Sequence, residues 1–259
     1  MILLLLALAT SDNPTRRARE VATSLPFAHN AYLELRREAA AIPDPALRAA
    51  VEVQMTVVVA PNGKDHGDFL AAPGGPCETG HHGYPGGLSV HSLANLLNAR
   101  AIAQTYRHIY GVEVHMEWLT AAAIWHDSMK AVTLPWREDG SCGSEKQLAG
   151  TPEHHVLGLA SAFQRHLPRE LIYVIAAAHG VEHACEWMQA AAKLAGIDEK
   201  VGCPSKMPIE GFITAQSDSD YPLTGLAWTR YVAKAPKGWE RFDALKADGN
   251  DVSLFSRSP

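Results

Sequence analysis

Four histidines and two aspartates, His91, His126, Asp127, His154, His179 and Asp218, have the residue types and spacing to share one metal centre. The tightest group is Trp125-His126-Asp127-Ser128-Met129-Lys130, which closes a run from Leu119 to Ile124 that is small and apolar almost throughout. Adjacent side chains on a helix diverge by about 100°, so His126 and Asp127 serve one site only if it lies in the wedge between them. A metal ion fits that wedge. Lys130 stands one turn beyond His126 on the same face. Charged groups beside an apolar segment need partners, because an unpaired buried charge is costly. A single histidine on an amphipathic helix is more often a satisfied core or surface group, so the joint pattern carries the argument. Six N and O donors are too many for one tetrahedral zinc, but they suit an octahedral ion or two ions bridged by the aspartate.

The elements that must bring these residues together are helices. Ser11-Asp12-Asn13-Pro14 offers a start, with Asp12 or Asn13 as cap and Pro14 in the first turn. Helical patterns follow at about 14–24, 27–41 and 44–59 and read as a structural packing layer. Residues 61–87 are rich in Gly and Pro, a long irregular connection of the kind that is usually functional or disordered. It carries His81, His82 and Tyr84, which are expected to line the mouth of a pocket. A helix from about Leu88 to Tyr110 shows an apolar stripe of Leu93, Leu96, Leu97 and Ile102, with His91 off it beside Ala94, Asn95 and Asn98. Asp139-Gly140 is a hairpin signal, so a short β-ribbon is expected over 133–141. Thr151 and Pro152 are expected to cap and open the helix carrying His154 and His155. Further helices are expected at about 168–180, 182–195 and 208–218, then one from Tyr221-Pro222 to about Ala233 and a charged tail from Pro236.

Small residues lie one turn from each candidate ligand: Ala94; Ala122 and Ala123; Gly158; Ala176; and Gly211 with Ala215. They let helix axes approach a common point. His154 is preferred to its neighbour His155 because Gly158 is four residues on, and Asp218 to Asp220 because it ends the stripe of Gly211 and Ala215. Trp125, Trp136 and Trp187 read as packing residues and His183 as a surface residue.

Composition narrows the classes. With 259 residues and 47% hydrophobic content, the chain can bury a sizeable core, and its formal charge of −5 does not suit a protein that coats nucleic acid. Cys77, Cys142, Cys185 and Cys203 form no zinc-knuckle or CxxC spacing, and either free thiols or two disulfides fit. Met1 to Ala9 is apolar but lacks a preceding Lys or Arg and is too short to span a bilayer. A cytoplasmic location is expected, or a periplasmic or secreted one if that stretch belongs to a signal. No oligomeric state is implied.

Taken in order, Gly86-Gly87-Leu88-xx-His91-Ser92, His126-Asp127-xx-Lys130, His154-xxx-Gly158, Ala178-His179-Gly180 and Asp218 resemble the HD-domain superfamily of metal-dependent phosphohydrolases. The likeness runs from about His81 to Tyr221. Ser128-Met129 departs from the usual Ile-Gly before the lysine. The resemblance implies an all-α HD-domain helical bundle with a small β-hairpin insert: a packing layer over 1–60, the HD domain over 61–235 and a tail over 236–259. It also implies one or two divalent ions (Fe, Mn, Mg, Zn, Ni or Co). His91, His126, Asp127 and Asp218 would hold the first, and Asp127 would bridge to a second on His154 and His179.

The activity so implied is hydrolysis of a phosphate ester by metal-activated water, on a nucleotide or a small phosphomonoester or diester. Asp127 and Lys130 would be catalytic, Lys130 and His81 or His82 would offset phosphoryl charge, and an imidazole not committed to metal would protonate the leaving alkoxide. Two other readings share the ligand set: an HD-fold di-iron oxygenase acting on a small polar substrate, and a nucleotide-binding sensor.

Overall fold

Proline and a capping side chain open the first helices. A computed structural model describes residues 13–77, 81–151, 153–197, 201–218 and 238–243. The side chain of Asn13 accepts the amides of Thr15 and Arg16 at the head of α1 (Pro14–Ser24). Asp44 does the same for Ala46 and Leu47 at the head of α3 (Pro45–Thr56), satisfying amides that a helix start leaves open. Between them lies α2 (Pro26–Ala40). These helices pack α2 on α4 (Gly87–Tyr110) and α3 on α5 (Met116–Trp125).

The middle of the bundle is α5. Every residue from Leu119 to Trp125 is buried, as expected of a helix that is apolar all round. Past it, residues 126–129 form a turn into α6 (Lys130–Thr133). Gln54 of α3 donates to the Ser128 hydroxyl at 2.8 Å, and that hydroxyl donates to Trp125 O at 2.8 Å. Ser128, the departure from the Ile-Gly pattern, thus ties the turn to the N-terminal layer. The remaining helices are α7 (His154–Gln164), α8 (Arg169–Ala177), α9 (Ala184–Leu194) and α10 (Ile209–Asp218), with a 3-10 turn at Gly238–Phe242.

The described residues are predominantly helical, with one two-stranded sheet. That sheet is not where the sequence placed it. β1 (Val58–Val59) and β2 (His66–Gly67) pair antiparallel around Pro61-Asn62-Gly63, and α3 stops at Thr56 instead of reaching 59. The β-branched run Val57-Val58-Val59 before a Pro-Asn-Gly turn favours a strand, and it ends the helix. The segment 133–141 keeps its turn, with Gly140 at φ 80° donating to Arg137 O, but forms no strand. Tertiary packing takes it instead: Trp136 donates to Ala71 O at 2.8 Å and joins a cluster with Tyr84, Trp239 and Phe242.

Two further expectations shift. On α4 the buried face is Leu88, His91, Ser92, Asn95, Leu96, Ala99 and Ala103, while Leu97 is 48% exposed. The polar residues belong to the inner face because they meet charged partners there. α7 begins at His154 without a side-chain cap, and Thr151 accepts the Glu153 amide instead of capping the helix. Pro152, Asp220, Tyr221-Pro222 with the helix to Ala233, and Met1 to Ala9 lie outside the described residues. No described helix is long and apolar enough to cross a membrane.

All four cysteines are paired, Cys77 with Cys142 and Cys185 with Cys203. The first bridge closes 65 residues and ties the loop leading to His81 and His82 to the segment after α6. On chain-entropy grounds such a loop contributes about 4 kcal/mol to stability.

Candidate metal centre

Helix ends place the six residues. α4 supplies His91, the end of α5 and its turn supply His126 and Asp127, α7 begins with His154, His179 follows α8, and Asp218 ends α10. Close approach depends on small residues. A Cβ on Gly211 would stand 3.2 Å from Ala177 and 3.4 Å from the Tyr173 ring, so α10 lies tight on α8. Trp125 reaches across to α7 and donates to Gly158 O at 2.9 Å.

The two oxygens of Asp127 face different donors. Its Oδ2 lies 3.1 Å from His91 Nε2, 3.5 Å from His126 Nε2 and 2.6 Å from Lys130 Nζ. Its Oδ1 lies 2.9 Å from His154 Nε2 and 3.5 Å from His179 Nε2. Asp218 Oδ1 completes the Oδ2 side, 3.0 Å from His91 Nε2 and 3.3 Å from His126 Nε2. The structure therefore brings all six sequence-predicted residues together, split into two sets that meet at Asp127.

Neighbours outside the six aim the ring nitrogens. His126 Nδ1 lies 3.1 Å from both Ala122 O and Ala123 O, so it carries the proton and leaves Nε2 to the cluster. His154 Nδ1 donates to Glu145 at 2.8 Å, with the same consequence for its Nε2. Asn95 donates to Asp218 Oδ1 at 3.1 Å and is itself held by the Ser217 hydroxyl. Sequence reading missed Glu145 and Asn95 as part of the site. Asn95 stood one turn from His91 and was visible as its neighbour, whereas Glu145 sits in an aperiodic loop that offered no signal.

The donor set fits a cation. Burial pushes the Asp127 carboxyl up, but Lys130 and His126 outweigh it and hold the group well below the usual carboxylate range. Burial likewise opposes the charged forms of His91 and His154, yet the adjoining carboxylates raise both, His91 to about 9. Protons on these rings supply the positive charge that two buried carboxylates require. Asp127 Oδ1 and His154 Nε2 lie buried 2.9 Å apart, a separation that the ring proton of a charged His154 spans and that lets both atoms serve one cation once that proton is lost. His155 joins the same side, its Nε2 buried and 3.3 Å from Glu153 Oε2, its ring 4.4 Å from Trp187 and 5.1 Å from His179. Donor atoms of His154, His155 and His179 all lie within 4.8 Å of one another.

Three expectations change here. Lys130 is buried and spends N–H bonds on Asp127 and on Gly74 O at 2.7 Å, so its contacts among the described residues brace the carboxylate. Tyr84 is fully buried and packs edge-on against Phe27, because its ring completes the second apolar cluster. His82 is also buried, in a left-handed conformation (φ 51°) that costs a non-glycine residue about 1–3 kcal/mol and concentrates at functional sites. His81 is half-buried, its ring 4.8 Å from that of His91. An open cavity of about 340 Å³ lies instead on the other flank, bounded by His179, Gly180, Phe212, Gln216 and Asp218.

Replacing Glu145 by Gln is expected to weaken metal binding about 10- to 100-fold, the usual effect of losing a partner behind a ligand. Metal titration of the two proteins measures it; equal affinities would mean that the Glu145 contact does not orient His154.

Over 100 residues the chain is 33% identical to the dihydroneopterin 2′,3′-cyclic phosphate phosphodiesterase of Methanocaldococcus jannaschii. The aligned part is 39% of this chain and 39% of that relative, so the chain spans well under half of the relative's length. No family model matches the chain. No solved structure matches it either.

Proposed function

We propose that the chain is an HD-type metal-dependent phosphohydrolase, with the HD domain over 61–235, and that its substrate is a small nucleotide-like phosphodiester such as a 2′,3′-cyclic phosphate. The observation that carries this is Asp127, buried, with one oxygen among His91, His126 and Asp218 and the other between His154 and His179. Those residues would hold two divalent ions, with His155 as a further donor beside His154. The kinship to a cyclic phosphate phosphodiesterase supports the choice of substrate class.

Divalent ions in such a pair make water nucleophilic at neutral pH and neutralise phosphoryl oxygens. The chain's own residues do the rest. Asn95 and Glu145 keep Asp218 and His154 oriented, and Lys130 holds Asp127. The cavity beside His179 and Asp218 would admit the organic part of the substrate, with Phe212 as its apolar wall and Gln216 as a hydrogen-bonding group. Burial, then the charge of a neighbouring imidazole, lowers His81 to about 3 and His155 to about 4, which favours the neutral imidazole at both.

The test is a hydrolysis screen over nucleoside and pterin 2′,3′-cyclic phosphates, with protein stripped by chelator and reloaded with Fe, Mn, Co, Ni or Zn. Ring opening to a phosphomonoester that needs added metal is expected. A mixed-valent di-iron EPR signal without phosphate-ester hydrolysis would replace this reading with the oxygenase one.

A further inference from the structure

We propose that His81, His82 and His91 form a third cation site, for a borderline transition ion such as zinc, that shares His91 with the paired centre. The inference rests on that paired centre and adds an ion to it.

His91 has two nitrogens in different situations. Its Nε2 lies 3.0 Å from Asp218 Oδ1, 3.1 Å from Asp127 Oδ2 and 3.2 Å from His126 Nε2, within the set assigned to the first ion. Its Nδ1 is buried and has no hydrogen-bond partner among the described residues. Buried polar atoms are rarely left in that state, so each one calls for an explanation. The rings beside His91 are His81, with centroids 4.8 Å apart, and His82, at 5.4 Å. One nitrogen from each of the three lies within 4.8 Å of the others.

The loop is built to hold His82 there. Gly74 donates its amide to His82 O at 2.9 Å, and Tyr84 donates to the same oxygen at 2.8 Å. A Cβ on Gly74 would stand 2.7 Å from His82 Cβ, and one on Gly87 would stand 1.9 Å from His82 O. Both glycines are therefore required by the close passage of His82, whose left-handed backbone turns its ring inward. Ordinary core packing does not explain this device, since an apolar residue would fill the space more cheaply than three imidazoles.

A hydrogen bond between His81 and His82, whose Nδ1 atoms are 3.1 Å apart, would satisfy those two rings but leave His91 Nδ1 as it is. An ion among the three accounts for all of them. Three imidazoles suit zinc, cobalt, nickel or copper before magnesium or calcium, and leave a coordination position open. His91 would then offer one nitrogen to each ion as an imidazolate, both of its ring protons passing to solvent.

Zinc stoichiometry decides the matter. Chelator-stripped full-length chain, reloaded with zinc and desalted, is expected to hold three ions by elemental analysis. His81→Gln and His82→Asn are expected to hold two, with unchanged circular dichroism; Asn tolerates the left-handed backbone at 82. Should His82→Asn fail to fold, His81→Gln alone gives the reading. Two ions in the wild type and two in the variants would overturn the third site and leave the pair standing. Two falling to one would assign these histidines to the first ion, which also overturns it. Fewer than two in the wild type would remove the paired centre itself.

Discussion

Asp127→Ala is expected to empty both metal subsites at once, which no other single substitution among the six should do. His91 or Asp218 serves one side of the cluster, but each oxygen of Asp127 serves a different side. Loss of affinity should exceed the roughly 100-fold at the top of the range for partners behind a ligand. The fold should suffer too. Lys130 Nζ is 2.6 Å from Asp127 Oδ2 in a buried setting, and removing one partner of a buried pair costs about 3–5 kcal/mol. Asp127→Asn separates the two effects, because the amide oxygen still accepts from Lys130 while the negative charge that attracts the ions is gone. Metal analysis and thermal unfolding of both variants are the measurements. Full metal content in Asp127→Ala contradicts the bridging role, and a wild-type Tm in the same variant contradicts the buried pair.

The convergence of His91, His126, Asp127, His154, His179 and Asp218 was legible because each sits at or near a helix end with a small residue one turn away. Periodicity locates helix ends, and small residues mark close approaches. What surrounds the six was less legible, for a physical reason. Glu145 reaches His154 from a loop whose course is set by the Trp136 cluster and the Cys77–Cys142 bridge, and neither has a local signature. The inward face of α4 differs from its apolar stripe, because His91 and Asn95 turn inward to meet charge and Leu97 is left in solvent. The hairpin was displaced for a similar reason: a turn signal at Asp139-Gly140 specifies a turn, but ladder pairing needs two free edges, and tertiary packing had already claimed the flanking residues.

Lys130→Met is expected to lower the stability of the metal-free protein far more than that of the metal-loaded protein. Without metal, the Lys130 ammonium is a principal counter-charge to Asp127, to which it donates at 2.6 Å, and it donates also to Gly74 O at 2.7 Å. Losing it should cost about 3–5 kcal/mol. At about 2–4 °C per kcal/mol for a chain near this size, that is a fall in Tm of roughly 6–20 °C. Ions beside Asp127 supply the missing charge, so loading the variant with metal should recover most of the fall, and metal content should stay at the wild-type level. Turnover should drop nonetheless, since the link to Gly74 that steadies the loop carrying His81 and His82 is gone. Thermal unfolding with and without metal distinguishes this from a lysine that meets the substrate phosphate. A phosphate-facing lysine would leave the metal-free Tm unchanged and raise KM alone, and that result would overturn the bracing role argued for Lys130.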